Sequence, residues 1–277
     1  MSYLHPPPSL RVTKQSVSQF SRMFPALCLV CAGLMFCACG GKKKDADRDN
    51  SGAVVVTSSW TAAYAQAAGA ENVVVLAPFE MAHPSEYELR PSDIPILKEA
   101  TVIVYAGYEV MTERLTKGLD LPSEKLFLVT TEYNFATIEK SVIGLAVKLG
   151  TESVARQNLL EIQNAFDDGR KALGERKWTG QKVVVSRFLV PLARELGLVP
   201  VMIFGPGAPE VADIVAVAKS DAVIIMDNSH NPVGQPFKEV LPHALYVQLL
   251  NFPGQYETKT LPDVIRYNIS QLLITHH

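Results

Sequence analysis

The chain has 277 residues, 26 Lys plus Arg against 28 Asp plus Glu, and 48% hydrophobic residues. That is enough for one large domain or two smaller lobes with real cores, and it excludes the disordered and collagen-like classes. Basic residues are scattered, and the one basic run, Lys42 to Lys44, is too short to make a nucleic-acid-binding face. The first segment is unlike the rest. Arg11, Lys14 and Arg22 carry its charge, no Asp or Glu precedes Asp45, and residues 24–38 form an apolar run of about fifteen. A membrane-spanning helix needs about twenty such residues, so this run fits the hydrophobic part of a secretory signal.

The run ends Phe36-Cys37-Ala38-Cys39-Gly40-Gly41 and the chain then turns polar. This ending resembles a bacterial lipobox, in which small residues precede a cysteine that is lipidated and becomes the new N-terminus. Cys39, between Ala38 and Gly40, is the expected lipidation site; Phe36 departs from the usual Leu, and Cys37 and an uncleaved N-terminal anchor stay open as alternatives. All four cysteines (Cys28, Cys31, Cys37, Cys39) fall in or at the end of this segment, so the body has neither a thiol nor a disulfide to work with. Cleavage after residue 38 leaves 23 Lys plus Arg against 28 Asp plus Glu, a mildly acidic body.

The expected organisation is a signal peptide (1–38), a lipidated Cys and solvated tether (39–52), an N-terminal α/β lobe (53–135), a linking helix (136–177) and a C-terminal α/β lobe (178–277). In the first lobe, short β-branched or apolar runs at 54–57, 73–76, 101–106 and 125–130 read as strands. Helices are expected at 61–68 and 93–99, the latter capped by Ser92 or Asp93. Residues 136–176 contain no Pro and carry an apolar stripe (Ile138, Val142, Leu145, Leu149, then Leu159, Ile162, Phe166). They read as one long helix, interrupted near Gly150 or split into two stacked ones, with Gly169 and Gly174 at a fraying end. Alternation then resumes: strands at 182–186, 199–204, 222–226 and 244–250, and helices at 190–196, 210–219, 235–240 and 261–275. Strands separated by helices imply an α/β fold, two Rossmann-like lobes of parallel sheet with a ligand cleft where the carboxyl ends of their strands face each other.

The body resembles the zinc- and manganese-binding components of ABC importers, the class with a rigid helix between its lobes. The specific segment runs from Ala82 to Asp93, Ala-His-Pro-Ser-Glu-Tyr-Glu-Leu-Arg-Pro-Ser-Asp, against the family pattern A-D-P-H-x-[FY]-E-P-x-P-S-D. Thr101 to Gly107, Gly205 to Pro209 and Asp227 to Pro232 match more loosely. The resemblance implies an exported lipoprotein that captures Zn or Mn between its lobes, closes slightly, and docks on an ABC permease in the cytoplasmic membrane. The usual ligands are three His and a carboxylate, and here the pattern departs. The first His position falls at Ser85, with His83 two residues earlier. The second is missing from Thr130-Thr131-Glu132-Tyr133-Asn134. The third falls at Ser186 and the carboxylate at Asn251.

Of six His, His5, His276 and His277 lie at the chain ends, and His243 precedes a strand and reads as structural. That leaves His83 and His230, with Glu132 and Asp227, as the candidate metal ligands. Ser85, Glu86, Glu88, Ser186, Arg187 and Asn251 are further cleft candidates. His and carboxylate donors serve Zn²⁺ and Mn²⁺ alike, so the ion stays open. A metal chelate or small organic ligand, and a non-transport adhesin-like lipoprotein, stay open as alternatives. Arg90 and Arg187 are expected in an inter-lobe salt bridge. No Gly-x-Ser-x-Gly or Walker loop is present, and Phe204-Gly205-Pro206-Gly207 lacks the third Gly of a dinucleotide site, so no enzyme is expected.

Overall fold

The computed structural model describes residues 52–274. The signal segment, Cys37, Cys39, nearly all of the tether, His5, His276 and His277 lie outside them. The described chain builds two four-stranded parallel sheets. The first contains β1 (Val54–Val56), β2 (Val73–Val75), β3 (Val102–Tyr105) and β4 (Leu126–Leu128) in the order β2-β1-β3-β4. The second contains β5 (Lys182–Ser186), β6 (Val199–Phe204), β7 (Ile224–Asn228) and β8 (Leu245–Leu249) in the order β6-β5-β7-β8. Both sheets therefore have the same order, with their first two strands exchanged relative to the sequence.

The strands are apolar throughout because both faces are covered. Val54 and Val56 point into the core under helix α1 (Ser59–Ala67), whereas Val55 points to the opposite face, under α2 (Asp93–Glu99). The second sheet repeats this with Val183 and Val185 on one face and Val184 on the other. The remaining helices are α5 (Val190–Glu195), α6 (Val211–Ala218), α7 (Gln235–Val240) and α8 (Leu261–Leu273). Helix starts are specified locally. Ser58 and Thr61 form a reciprocal capping box on α1, as do Thr260 and Asp263 on α8.

The middle of the chain is two helices, α3 (Phe135–Leu149) and α4 (Glu152–Glu175). The break is at Gly150, whose φ of +72° suits a residue without Cβ. The chain then doubles back. One carboxylate, Glu195 of α5, accepts from the Asn134 amide at the start of α3 (2.9 Å) and from Arg170 near the end of α4 (2.8 Å), which fixes the two helices as an antiparallel pair. Helix α4, 24 residues or about 36 Å long, then packs on α8, so one continuous core runs through both lobes.

Gly169 is not at a fraying end. It is buried inside α4, where a Cβ would stand 2.3 Å from Ile269 Cδ1 and 3.1 Å from Leu196 Cδ2. It is the residue that lets α4 and α8 approach. Gly169→Leu should lower stability by about 1–3 kcal/mol through overpacking; urea unfolding with an unchanged m-value is the check.

Candidate functional site

The carboxyl ends of all eight strands face one another around a chamber of about 820 Å³. Each loop contributes. Ser58 and Trp60 follow β1, residues 82–86 follow β2, Tyr108 and Glu109 follow β3, and Thr131 and Glu132 follow β4. From the other lobe come Arg187 and Phe188 after β5, Pro206 after β6, His230 after β7, and Asn251 and Phe252 after β8. This is where parallel sheets leave unpaired backbone and side chains free to meet a ligand.

The segment that carried the family resemblance turns out to be scaffold. Asp93 is buried, and its Oδ2 accepts from the Tyr87 hydroxyl (2.9 Å) and the Arg90 backbone N–H (2.7 Å). Burial, with the Asp93 carboxylate as acceptor beside it, pushes the Tyr87 phenol above its ordinary value. These bonds close the turn before α2 without a side-chain cap from Ser92. The Ser85 carbonyl accepts from the Val110 N–H at 2.9 Å and ties this turn to the loop after β3. His83, Ser85 and Glu86 are thereby held at the chamber; Glu88 is exposed and outside its lining. Arg90 does not form the expected inter-lobe ion pair but sits 5.4 Å over the Tyr87 ring.

An aromatic file crosses from one lobe to the other. Tyr133 stacks on Trp60 at 5.7 Å, Trp60 lies 6.2 Å from Phe252, and Phe252 stacks on the His230 ring at 3.7 Å. Ser59 Oγ donates to the Pro253 carbonyl at 2.7 Å and seals the seam beside it. Four buried side-chain atoms on or beside this file have no hydrogen-bond partner among the described residues: Trp60 Nε1, Tyr133 Oη, His230 Nε2 and Asn251 Oδ1. Buried polar atoms are nearly always satisfied, so such a group of orphans marks a place prepared for something else. Asn251 is held there by the buried Asn268, whose amide exchanges hydrogen bonds with Leu250 N–H (2.7 Å) and carbonyl (2.9 Å).

His230 is kept neutral. Burial pulls its pKa down to about 4, the nearby Phe252 carbonyl opposes that, and the His83 imidazole across the chamber lowers it further. Gln255 Nε2 lies 3.4 Å from His230 Nδ1. Rotating that amide presents its oxygen to an Nδ1–H, the tautomer that leaves the Nε2 lone pair free for a metal.

Other expected residues stand elsewhere. Asp227 is fully buried and does not line the chamber. Its carboxylate accepts from Asn228 N (2.8 Å), Gly234 N (2.8 Å) and Tyr246 Oη (2.7 Å), which tie the end of β7 to α7 and β8. Burial, and after it the shared Asp227 carboxylate, push the Tyr246 phenol up to about 12. Ser186 is also buried and outside the lining. His243 is exposed in the turn before β8, away from the chamber. Arg187 does line it, but it is exposed and forms no salt bridge among the described residues, against the expected inter-lobe pair. Glu132 lines the chamber from an exposed position. His83, His230, Glu132, Ser85, Glu86, Arg187 and Asn251 are thus brought together, while Asp227, Ser186 and Glu88 are not. Among the described residues no three His, Cys, Asp or Glu side chains converge as a metal cage would require.

Trp60 and Tyr108, which the sequence offers for an organic or anionic ligand, do line the chamber, whereas Glu109 and Phe252 are not among the residues the sequence pattern singles out. Glu109 is buried and accepts from Thr57 (2.6 Å), Ala106 N (2.8 Å) and Gly107 N (2.7 Å), which stiffens the floor of the chamber. Its position just after a strand was the available signal.

No protein-family model and no curated protein matches this sequence. Solved structures do. The Mn-bound periplasmic metal-binding protein from Candidatus Liberibacter asiaticus superposes with a TM-score of 0.60 at 17% identity, over 80% of this chain and 98% of that one. The solute-binding protein FpvC from P. aeruginosa, solved with Ni²⁺, superposes with a TM-score of 0.65 at 16% identity, over 80% and 95%. This chain has the fold of periplasmic metal-binding proteins. A Cd-bound form of the Liberibacter protein gives the same TM-score of 0.60. Among the described residues no helix is long and apolar enough to cross a membrane.

Proposed function

We propose that this protein is the exported, lipid-anchored solute-binding component of an ABC importer, and that it captures a divalent first-row metal in the inter-lobe chamber. The observation that carries this reading is one imidazole from each lobe, His83 after β2 and His230 after β7, at the lining of one chamber, with His230 Nε2 buried and unpartnered. Structural neighbours were solved with Mn, Cd and Ni bound, which supports a metal as cargo. Imidazole and carboxylate are donors that zinc and manganese both accept. Glu132 and Glu86, at the exposed side of the chamber, are the carboxylates available to approach the ion as the lobes close. The apolar run at residues 24–38 and the Cys39 lipobox support export and attachment to a membrane. No covalent chemistry is needed: capture, a small lobe movement and docking on a permease complete the cycle.

The test is calorimetric titration of the body, purified without a His tag and stripped of metal, with zinc and manganese. Binding is expected to fall at least tenfold in His83→Ala and again in His230→Ala. If neither ion is bound in any form, or if both variants bind as the parent does, the reading is wrong.

A further inference from the structure

The walls of the chamber are almost free of usable negative charge. Glu109 is spent on backbone and hydroxyl donors, and Asp227 faces away. Asn251, at the buried side, is a neutral amide, more than nine-tenths buried, whose oxygen has no partner among the described residues. Glu86 and Glu132 stand at the exposed side, and so does the cation Arg187. A bare divalent ion drawn inward to the buried His230 Nε2 would leave the exposed Glu86 and Glu132 behind and meet imidazole and amide donors only, which is costly. The volume points the same way. An ion with six waters occupies about 180 Å³, at about 30 Å³ per water. The chamber of about 820 Å³ falls in the range typical of sites for small organic molecules, about 300–1,000 Å³. Beside the imidazoles stand the Trp60 and Phe252 rings, and Trp60, also more than nine-tenths buried, has an indole N–H with no acceptor.

We propose that the chamber takes its metal as a complex with a small anionic chelator of the polycarboxylate or amino-carboxylate class. This rests on the metal-capture reading above. His83 and His230 reach the ion. The chelator fills its remaining positions, supplies the missing negative charge and lies against Trp60 and Phe252. The Trp60 N–H donates to a chelator oxygen, Asn251 Oδ1 accepts from a chelator hydroxyl or amine, and Arg187 meets an outer carboxylate.

Arg187 decides the matter because its removal acts with opposite signs on the two forms of cargo. It is exposed and makes no side-chain hydrogen bond or ion pair among the described residues, so Arg187→Ala is expected to leave the fold intact. A bare cation is repelled by Arg187 and should bind Arg187→Ala as well or better; an anionic complex should bind it at least tenfold more weakly. The experiment is calorimetric titration of the metal-free body with zinc chloride alone, with zinc premixed with citrate, aspartate or histidine, and with each chelator alone. At least one premixed complex is expected to bind ten times more tightly than zinc alone. Trp60→Phe, which removes the N–H, should erase most of that advantage, weakening the complex more than it weakens zinc alone. If every chelator merely strips zinc from the protein and Arg187→Ala raises zinc affinity, the chelator is overturned and metal capture survives. If a chelator alone binds as tightly as its complex, the metal complex is overturned as cargo; if His83→Ala and His230→Ala leave binding of zinc and of its complexes unchanged, both are overturned.

Discussion

Asp227→Ala is expected to destabilise the protein by about 3–5 kcal/mol and to leave the metal affinity of the folded fraction within a few-fold of the parent. The carboxylate is fully buried and satisfies three donors, two backbone N–H groups and the Tyr246 hydroxyl. Removing it strands those donors where water cannot easily replace it, at about 1–3 kcal/mol for each buried group left unpaired. Gly234 cannot move to compensate: even a Cβ there would stand 2.7 Å from Phe204 Cζ and 3.1 Å from Asp227 Cγ. Asp227→Asn keeps one acceptor oxygen and should cost about half as much. Against a typical total of about 5–15 kcal/mol, the Ala variant should unfold at a far lower urea concentration. An Ala variant of unchanged stability that no longer binds metal would return Asp227 to the ligand set.

The second large effect is acid lability centred on His230. In the metal-free protein, stability should fall by up to about 3 kcal/mol between pH 6.5 and pH 4 through this side chain. The unfolded imidazole takes up its proton near its ordinary value of 6.5, whereas the folded one stays neutral down to about 4 because burial opposes the charge. Within that window the unfolded state holds more protons, so lowering the pH favours unfolding. Above it both states are neutral and the contribution to the slope vanishes. His230→Gln cannot titrate, so its stability should be the less pH-dependent of the two, and urea melts of both proteins at pH 7, 5.5 and 4 measure the difference. A parallel pair of curves would mean that the ring is hydrated and free to charge. The same depression keeps Nε2 available to a metal at pH values where an exposed His is already protonated.

Much of this architecture is readable without coordinates, because the strands are buried on both faces and hence apolar without alternation. Val54 to Val56 and Ile224 to Met226 announce parallel strands by that property alone. The reversal at Gly150 is harder. A left-handed glycine ends a helix in the same way whether the next helix continues onward or folds back, and the deciding contact is with Glu195, sixty residues away in the chain for Phe135. Gly169 misled for a related reason: within a helix it reads as a weak point, whereas here it answers to Ile269 on another helix. At the site, topology puts every strand-end loop on the chamber, and that much follows from an α/β pattern. Which way a side chain turns within such a loop does not. Asp227 and Asn228 are neighbours, yet the first is consumed by the fold and the second lines the chamber. The aromatic file joins residues from four loops, and no spacing along the chain announces it.

The Tyr87–Asp93 lock has a consequence for recognising relatives. The stretch that most invites comparison holds a turn in shape, and nothing in its hydrogen bonds depends on what the chamber carries. A genome survey keyed to that stretch would collect proteins by their hinge carpentry, with carriers of ions, complexes and other solutes mixed in one bin. Sorting them by cargo requires reading the sparse positions at the strand tips, the equivalents of Trp60, Arg187 and Asn251.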